Sequence, residues 1–457
     1  MIKKEKRLRQ DLCSGPFLPK IIAYTLPIVL TSVLQLLFNA ADLVVVGQFE
    51  GNDDLGAVGA TGSLINLLVS LFTGLSIGAG VCVAQGIGAK DDSRVSRAVH
   101  TAIPAAVLGG AVLTVVGVAF SPWLLSLMDT PAKVIDLAAL YMRIYFGGII
   151  PVLLYNFGAA ILRSAGDTKS PLIYLSIAGV VNVVLNLFFV AVCRMSVAGV
   201  ALATVLSQTL SCVLVLRALM RRTDGCRLIL KNLRIDPASL KRIVSIGLPA
   251  GIQGSVFSIS NVLIQSSINS FGEAALSGST AASNIEGFVY MGMNAFQQTA
   301  TTFVGQNAGA RRYDNVGKVA ALCLGCVTVA GVVLGCGCFL LAPQLLPIYL
   351  KEGGIAVQHG ITRMQYVCFP YFLCGVMDVF SGLLRGMGCS AVPMAISLLG
   401  ACGLRILWIG TVFRAKPTLD TLFLCYPISW VVTILALAIS FAIVWKRRKA
   451  QIKAMGV

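Results

Sequence analysis

Twelve long apolar stretches constrain the fold of this chain more than any other feature of its sequence. An α-helix needs about 20 mostly apolar residues to cross the hydrocarbon core of a bilayer, and each stretch reaches that length. Almost every helical face within them is apolar, as is usual for membrane spans. The stretches are residues 21–48, 57–85, 99–121, 137–161, 171–192, 196–217, 243–269, 276–304, 317–342, 361–384, 391–413 and 419–444. They predict an all-α polytopic membrane protein with twelve transmembrane helices.

The overall composition agrees with this prediction. Only 12% of the residues are charged and the mean hydropathy is +0.85, whereas soluble domains carry about 25% charged residues. The net charge of +17 would suggest nucleic-acid binding in a soluble protein, but here the cations occur in short runs between apolar stretches. We therefore attribute the basic charge to membrane topology and expect no nucleic-acid partner.

The positions of lysine and arginine predict the orientation of the chain. Cytoplasmic connections carry more of these residues than outer connections do. If the N-terminus is inside, the outer connections hold only Lys133, Arg194, Lys351, Arg414 and Lys416. The apolar run after the basic N-terminus is too long for a signal peptide, so we expect it to remain as the first helix. These features predict a multi-pass membrane protein with both termini in the cytoplasm.

Three short patterns recur in the two halves of the chain at a nearly constant offset. The matches are Leu26-Pro27 with Leu248-Pro249, residues 83–90 with 304–311, and Leu162-Arg163 with Leu384-Arg385. With six spans in each half, both halves enter the membrane in the same direction. The repeat therefore predicts two six-helix bundles related by a pseudo-two-fold axis along the membrane normal.

The repeat also predicts the domain boundaries. We assign residues 1–217 to an N-terminal bundle, 218–242 to a cytoplasmic linker, and 243–457 to a C-terminal bundle with a basic cytoplasmic tail. The linker is rich in arginine, so we expect it to lie on anionic lipid headgroups. Within it, Asp236 and Pro237 suit the N-cap and first position of a short helix.

Three acidic side chains away from the ends of the predicted spans have no acidic counterpart in the other half. The acids and their counterparts are Asp42 with Ile264, Glu286 with Ile65, and Asp378 with Asn156. Ionisable groups at membrane depth are costly, and they mark ion or substrate pathways by default. A repeated scaffold needs non-repeated residues for directional work, so these acids are the candidate functional groups.

Asp42 is predicted to have three neutral polar neighbours. It lies about 8 Å inside the outer end of the first span, from the helical rise per residue. Asn182 and Asn186 share one face of the fifth span, and Thr204 on the sixth falls in the same outer half. Hard oxygen ligands of this kind suit H⁺ or Na⁺ better than a transition metal, so we expect no bound metal. The alternative is structural, because Asn and Thr often join membrane helices by hydrogen bonds.

A second group of residues is predicted to line a substrate cavity. Its members are Gln35, Asn39, Asn156, Glu286, Met291 and Asp378. Glu286 or Asp378 could attract a cationic substrate, and the aromatic and thioether side chains near Glu286 suit a cation site of broad specificity. Either acid could instead pair with Arg405, and ordinary helix packing accounts for the aromatic residues equally well.

Motifs for enzymatic catalysis are missing from the sequence. There is no phosphate-binding Gly-x-x-x-x-Gly-Lys-Ser/Thr loop, which argues against direct use of ATP. The two histidines are far apart, and the 14 cysteines lie mostly in apolar stretches, where buried thiols are the simplest interpretation. We therefore expect no enzymatic activity and no cofactor, with an ion gradient as the energy source.

The chain resembles the multidrug and toxic compound extrusion (MATE) transporters over nearly its whole length. The resemblance rests on the twelve spans in two halves, on Leu26-Pro27, on the paired Val-x-Gln-x-x-Gly-Ala-Lys/Arg segments at 83–90 and 304–311, and on Leu-Arg-Ser-Ala-Gly at 162–166. Asp42 and the segment from Asn182 to Asn186 are more similar to the DinF and MepA-like bacterial branch than to NorM.

The resemblance implies a V-shaped pair of bundles that exports cationic drugs by alternating access, in exchange for H⁺ or Na⁺. In the family, an acid on span one works with an Asn and an acid four residues apart on span five and a Thr on span six. These positions correspond here to Asp42, Asn182, Asn186 and Thr204. Because Asn186 replaces the second acid, Asp42 is the only titratable member of the group.

These observations predict a secondary active antiporter that works as a monomer, with Pro27 as a hinge in span one. The alternative is a flippase for lipid-linked precursors, since related folds move such carriers. A flippase would require a strongly basic central cavity. The acids within the spans argue against one.

Overall fold

The computed structural model describes residues 11–49, 52–128, 132–350 and 354–455, and every regular element within these residues is helical. In the first half, the α-helices are α1 (Phe17–Phe49), α2 (Asn52–Gly88), α3 (Asp92–Ser126), α4 (Ala132–Gly147), α5 (Ile149–Ser164), α6 (Lys169–Leu187) and α7 (Ser196–Met220). A π-helical segment, Phe188–Val192, follows α6, and a short 3₁₀ turn, Leu230–Asn232, follows α7.

The described residues of the second half form ten further α-helices. They are α8 (Pro237–Asn269), α9 (Glu273–Gly309), α10 (Tyr313–Leu340), α11 (Ala342–Tyr349), α12 (Ile355–Val367), α13 (Tyr371–Gly386), α14 (Ala391–Ser397), α15 (Leu404–Trp408), α16 (Leu419–Phe423) and α17 (Cys425–Ala454). Two π-helical segments, Leu398–Gly403 and Ile409–Phe413, flank α15.

All twelve predicted stretches fall on helices, which confirms the all-α membrane fold. Nine helices in the described part of the chain are long and apolar enough to cross a membrane, and the bent pairs α4–α5 and α12–α13 bring this number to eleven. The remaining stretch, 276–304, lies in α9, a 37-residue helix with many polar side chains. Asp236 caps α8 as predicted, its Oδ2 accepting the backbone N–H of Ser239 at 2.9 Å. The helix itself is not short, because it continues to Asn269.

The internal repeat is visible in the backbone conformation of each half. Lys90 and Arg311, which occupy corresponding positions of the repeat, both adopt left-handed conformations, with φ of 56° and 59°. Gly166 and Gly388, a second corresponding pair, do the same, with φ of 89° and 84°. Non-glycine residues rarely adopt positive φ. The recurrence at Lys90 and Arg311 therefore shows that the chain leaves the ends of α2 and α9 with the same backbone conformation.

Helix distortions recur at corresponding positions too. The bend between α4 and α5 is 51°, and the bend between α12 and α13 is 45°. The π-helical segment Phe188–Val192 in the first half has its counterpart in Ile409–Phe413 in the second. These helix breaks are therefore repeated along with the helices, whereas the π-helical segment Leu398–Gly403 corresponds to a regular part of α6.

The helices pack into two compact units that do not coincide with the sequence repeat. Asp11 and Leu30–Ser255 belong to unit 1, and Leu12–Val29 and Val256–Val457 belong to unit 2. The continuous helix α1 therefore changes unit just after Pro27, and α8 does so shortly after Pro249. In unit 2, Thr25 and Thr299 share a hydrogen bond of 2.8 Å, which attaches the start of α1 to α9. The predicted boundaries 1–217 and 243–457 follow the sequence repeat. Packing instead assigns the start of α1 to unit 2 and the start of α8 to unit 1.

In unit 1, glycines bring the first half of α8 against α2. Gly74 and Gly78 on α2 face Gly247 and Gly251 on α8, so that each helix contributes a Gly-x-x-x-Gly pattern. A Cβ atom added to Gly74 would lie 2.2 Å from the backbone nitrogen of Gly251. Membrane helices lack a strong hydrophobic drive to associate with one another, so small residues that allow close backbone contact hold them together.

We expect Gly74→Ala to destabilise unit 1, because the added methyl group meets backbone atoms that cannot move aside. Overpacking of this kind lowers the free energy of unfolding by about 1–3 kcal/mol. Gly62→Ala is the matched control on the same helix, since a Cβ atom there meets nothing within 4 Å, and removing a helical glycine is neutral or stabilising. Thermal unfolding of the purified variants measures the difference. Equal midpoints for both variants would contradict close packing at Gly74.

Candidate functional site

Asp42 is buried in unit 1 and is held by neutral hydrogen-bond donors. Its side chain, on α1, is only 8% exposed. The amide nitrogen of Asn186 donates a short hydrogen bond to Oδ1, and the Thr204 hydroxyl donates to Oδ2 at 3.4 Å. The same amide nitrogen donates to Oδ1 of Asn182 at 3.3 Å. Three helices, α1, α6 and α7, therefore place Asp42, Asn182, Asn186 and Thr204 in one hydrogen-bonded group, which we call the Asp42 cluster.

The local structure of α6 explains part of this arrangement. Asn182 and Asn186 are one helical turn apart, so they share a face. The π-helical segment Phe188–Val192 begins directly after α6 ends at Leu187. π-Helical segments are rare in proteins overall. Those that occur are often found at functional sites, because they change the direction of side chains along the helix. The nearby Tyr141, on α4, is also within electrostatic reach of Asp42.

The Asp42 cluster contains a hydrogen-bond acceptor that no donor in the described part of the chain occupies. Among the described residues no lysine or arginine forms an ion pair with Asp42. Oδ1 of Asn186 is buried and has no hydrogen-bond partner in that same part of the chain. A carboxylate and a spare amide oxygen can bind a proton or a small hard cation. No group of three or more His, Cys, Asp or Glu side chains that could hold a metal ion occurs in the described residues.

Three predicted cavity residues lie in unit 1 and outside this cluster. Gln35 and Asn39 are exposed on one face of α1, four residues apart, and Asn156 on α5 is half-buried. Pro27 is buried within α1, which the structure shows as one continuous helix from Phe17 to Phe49. A proline at this position removes one backbone hydrogen bond from the helix, which makes bending there easier.

Glu286 forms a buried ion pair with Arg363 in unit 2. Nε and Nη2 of Arg363 donate to the two carboxylate oxygens at 2.9 and 2.8 Å, and Nη1 donates to the hydroxyl of Ser279 at 2.7 Å. Pairing of Glu286 with Arg405 was therefore wrong. The reason is geometric, since α12 packs along α9 and brings Arg363 to the face that carries Glu286. With both oxygens bound in this bidentate way, Glu286 has its charge compensated within the protein.

Asp378 does not pair with Arg405 either. It is buried on α13 and accepts a hydrogen bond from Tyr290, with Arg385 within electrostatic reach. Its second oxygen, Oδ2, has no hydrogen-bond partner among the described residues. Arg405 instead donates to the hydroxyl of Ser429 at 3.0 Å and lies 4.5 Å from the centre of the Tyr426 ring. Met291 follows Tyr290 on α9 and is half-buried.

Arg363 lies within the predicted span 361–384, but no role was predicted for it. An arginine at membrane depth is itself a strong indication of a buried acidic partner, and Arg363 could have been found in that way. Tyr290 is one of the aromatic residues near Glu286, and nothing in the local sequence indicates that its hydroxyl contacts Asp378. These pairs join residues that are far apart in the chain, so only the packed structure identifies them.

We expect single substitutions of the buried pair to destabilise unit 2 more than the double substitution. Glu286→Gln leaves a guanidinium without a counter-charge, and Arg363→Met leaves a carboxylate, so each lowers the free energy of unfolding by about 3–5 kcal/mol. The double variant removes both charges and recovers most of this loss. Thermal and denaturant unfolding of the purified variants measures the coupling.

The matched control is Asp314→Asn, which breaks the exposed ion pair with Lys449. Exposed pairs contribute little because solvent screens them, so this variant should unfold as the wild type does. Additive losses in the Glu286 and Arg363 double variant would contradict the ion pair.

Comparison with known proteins agrees with this architecture. The MatE family model matches residues 27–188 and 249–409, which are corresponding parts of the two halves. The chain is 27% identical over 437 residues to "Probable multidrug resistance protein YoeA" of Bacillus subtilis (strain 168), covering 93% of this chain and 94% of that one. It is 28% identical over 405 residues to "Probable multidrug resistance protein YpnP" of the same organism, covering 86% and 88%.

A solved structure has the same fold. It is described as the outward-facing conformation of a multidrug resistance MATE family transporter of the MOP superfamily. The two chains superpose with a TM-score of 0.89 over 98% of this chain and 99% of the other, at 20% identity. The family model covers most of both halves, and the relatives match over nearly their full length. This protein is therefore a multi-pass membrane protein that belongs to the MatE family of transporters.

Proposed function

We propose that the protein is a secondary active antiporter that exports cationic, amphipathic compounds in exchange for protons. The observation that carries the proposal is Asp42, a buried carboxylate bound only by neutral groups among the described residues. The names of YoeA and YpnP support drugs as the substrate class. The flippase alternative has no such support. Placement in the MepA-like branch stays a prediction.

The hydrogen bonds of the Asp42 cluster suggest how a proton acts on it. In the ionised form, Asp42 accepts hydrogen bonds from the amide of Asn186 and the hydroxyl of Thr204. A protonated Asp42 has one O–H donor and needs an acceptor. The spare Oδ1 of Asn186 supplies one if the amide turns over. Proton binding therefore replaces the hydrogen bond that Asn186 donates to Asp42 by one that Asp42 donates to Asn186. This change in the contact between α1 and α6 can favour a different position of α1.

Proton coupling is favoured over Na⁺ coupling by the charge of the cluster. Na⁺ bound by oxygen ligands is best compensated by carboxylates, and the cluster offers one, at Asp42. Asn182 and Asn186 add amide oxygens, which are neutral. A proton neutralises a single buried carboxylate completely, so it relieves the cost of burying that charge.

We further propose that the protein works as a monomer in a bacterial cytoplasmic membrane, with both termini in the cytoplasm. The excess of lysine and arginine in the predicted inner connections supports this orientation. In unit 1 we propose Gln35 and Asn39 as substrate contacts, because they share an exposed face of α1. In unit 2 we propose Asp378 separately, because its Oδ2 lacks a hydrogen bond in the described structure. Glu286 is left out of this set because Arg363 already compensates its charge.

We expect Asp42→Asn to abolish gradient-driven transport while substrate binding persists. The amide keeps the size of the side chain but cannot exchange a proton, so uptake of a cationic dye into everted vesicles should fall at least about tenfold. Equilibrium dye binding to the purified protein should change little. Asp314→Asn removes an exposed acid outside the Asp42 cluster and should transport normally. Normal uptake by Asp42→Asn would overturn the coupling role.

We expect proteoliposomes of the wild type to transport dye under an imposed pH gradient and not under a Na⁺ gradient alone. Asn186→Asp should make transport depend on Na⁺, because two adjacent buried carboxylates cannot both stay ionised without a bound cation. Asn269→Asp, at the exposed end of α8, is the control for adding an acid elsewhere. Transport by the wild type under a Na⁺ gradient alone would replace H⁺ by Na⁺ as the coupling ion.

A further inference from the structure

The segment that joins α7 to α8 is folded against α3. The imidazole of His100 holds it, since Nε2 accepts the backbone N–H of Ile229 at 3.1 Å and Nδ1 lies 2.8 Å from the backbone oxygen of Ser96. The hydroxyl of Thr101 accepts the backbone N–H of Asp236 at 3.1 Å. Both side chains on α3 are buried. These contacts hold both ends of residues 229–236 against α3, and we call these residues the wall.

A polar cavity of about 260 Å³ lies between this wall and α3. Its volume is far above the ~30 Å³ that one water occupies in the liquid. The lining residues are Ser96, Arg97, His100, Asn232, Arg234 and Asp236. Both ring nitrogens of His100 are engaged, so the cavity takes its positive charge from Arg97 and Arg234.

The acid in this cavity is already engaged. Hydrogen bonds from the side chain and backbone of Ser239 hold the pKa of Asp236 below its usual range, with smaller contributions from Arg97 and Arg234. The carboxylate is therefore ionised and caps α8. Two guanidinium groups against one carboxylate leave the cavity with an excess of positive charge. Hydroxyl and amide groups of Ser96 and Asn232 add neutral donors and acceptors.

The surroundings of the cavity indicate a lipid surface. Large apolar side chains on the wall point outward beside its basic residues, and Leu230 is 61% exposed, with Ile229 and Ile235 also exposed. Apolar side chains interleaved with basic ones are typical of segments that lie at the headgroup level. On α3, Leu108 is 55% exposed and lies three turns, about 16 Å, beyond Arg97 on the same face. The exposed apolar face of α3 therefore begins about three turns from the cavity.

We propose that this cavity binds the headgroup of an anionic phospholipid that carries free hydroxyl groups, such as phosphatidylglycerol. Arg97 and Arg234 contact the phosphodiester, as guanidinium groups do in other phosphate sites. Asp236, Asn232 and Ser96 contact the headgroup hydroxyls. The acyl chains run along the exposed face of α3. The lipid thereby fastens the segment between α7 and α8 to the membrane, at the point where the two halves of the chain join.

Native mass spectrometry of the purified full-length protein tests this proposal. We expect the wild type to retain one phosphatidylglycerol in preference to phosphatidylethanolamine or phosphatidylcholine. Arg97→Gln/Arg234→Gln should lower this affinity about thirtyfold, since each basic residue near an anionic surface contributes roughly fivefold. Lys231→Gln is the matched control, because Lys231 is exposed on the same 3₁₀ turn and does not line the cavity. It should change the affinity by no more than about fivefold.

A second variant keeps the proposal testable if the double variant folds poorly. Asn232→Asp adds a carboxylate at an exposed lining position and should weaken retention of the anionic lipid by electrostatic repulsion. Equilibrium dialysis of the wild type against inorganic phosphate separates a lipid site from a site for small anions. Retention of phosphatidylglycerol without phosphate binding supports the proposal. Phosphate binding without lipid retention, equal retention of all three lipids, or equal loss in Lys231→Gln and the double variant would each overturn it.

Discussion

The low dielectric surroundings of membrane helices govern how this protein carries buried charge. A carboxylate removed from water must gain donors or a counter-charge. Glu286 gains a counter-charge, because Arg363 binds both of its oxygens. Within the described residues, Asp42 gains donors, from Asn186 and Thr204, and no counter-charge. The first arrangement compensates the carboxylate charge within unit 2. The second leaves a carboxylate in unit 1 that is bound by neutral groups.

The two halves of the chain share a backbone plan and differ in these charged side chains. The left-handed pairs Lys90 with Arg311 and Gly166 with Gly388, the two helix bends and one π-helical segment of each half recur at corresponding positions. Asp42 and Glu286 have no acidic counterparts, since isoleucine occupies the corresponding positions. The starts of the corresponding helices α1 and α8 are attached by different contacts. Close glycines attach the start of α8 in unit 1, whereas a threonine pair attaches the start of α1 in unit 2. Shape is therefore repeated, and chemistry is specific to each half.

Much of the fold could be predicted from the sequence because hydrophobic length is a local property. Each of the twelve apolar stretches became helical, although stretches 137–161 and 361–384 are each divided by a bend. The group around Asp42 could be predicted because helical rise gives depth along each span, and depth alone brings Asp42, Asn186 and Thr204 to one level. Depth along the span does not give rotation about the helix axis, and this is why Arg405 was considered as one possible partner for Glu286 while Arg363 was given no role.

The sequence by itself determined the all-helical membrane fold, the internal repeat and the positions of the acids, since these depend on residue type and spacing along the chain. Only the tertiary structure decided which groups meet. Glu286 and Arg363 are 77 residues apart, and Asp42 and Asn186 are 144 apart, so no local pattern links them. Side-chain pairing inside apolar helices depends on how each helix turns toward its neighbours, and packing of the whole bundle sets that rotation.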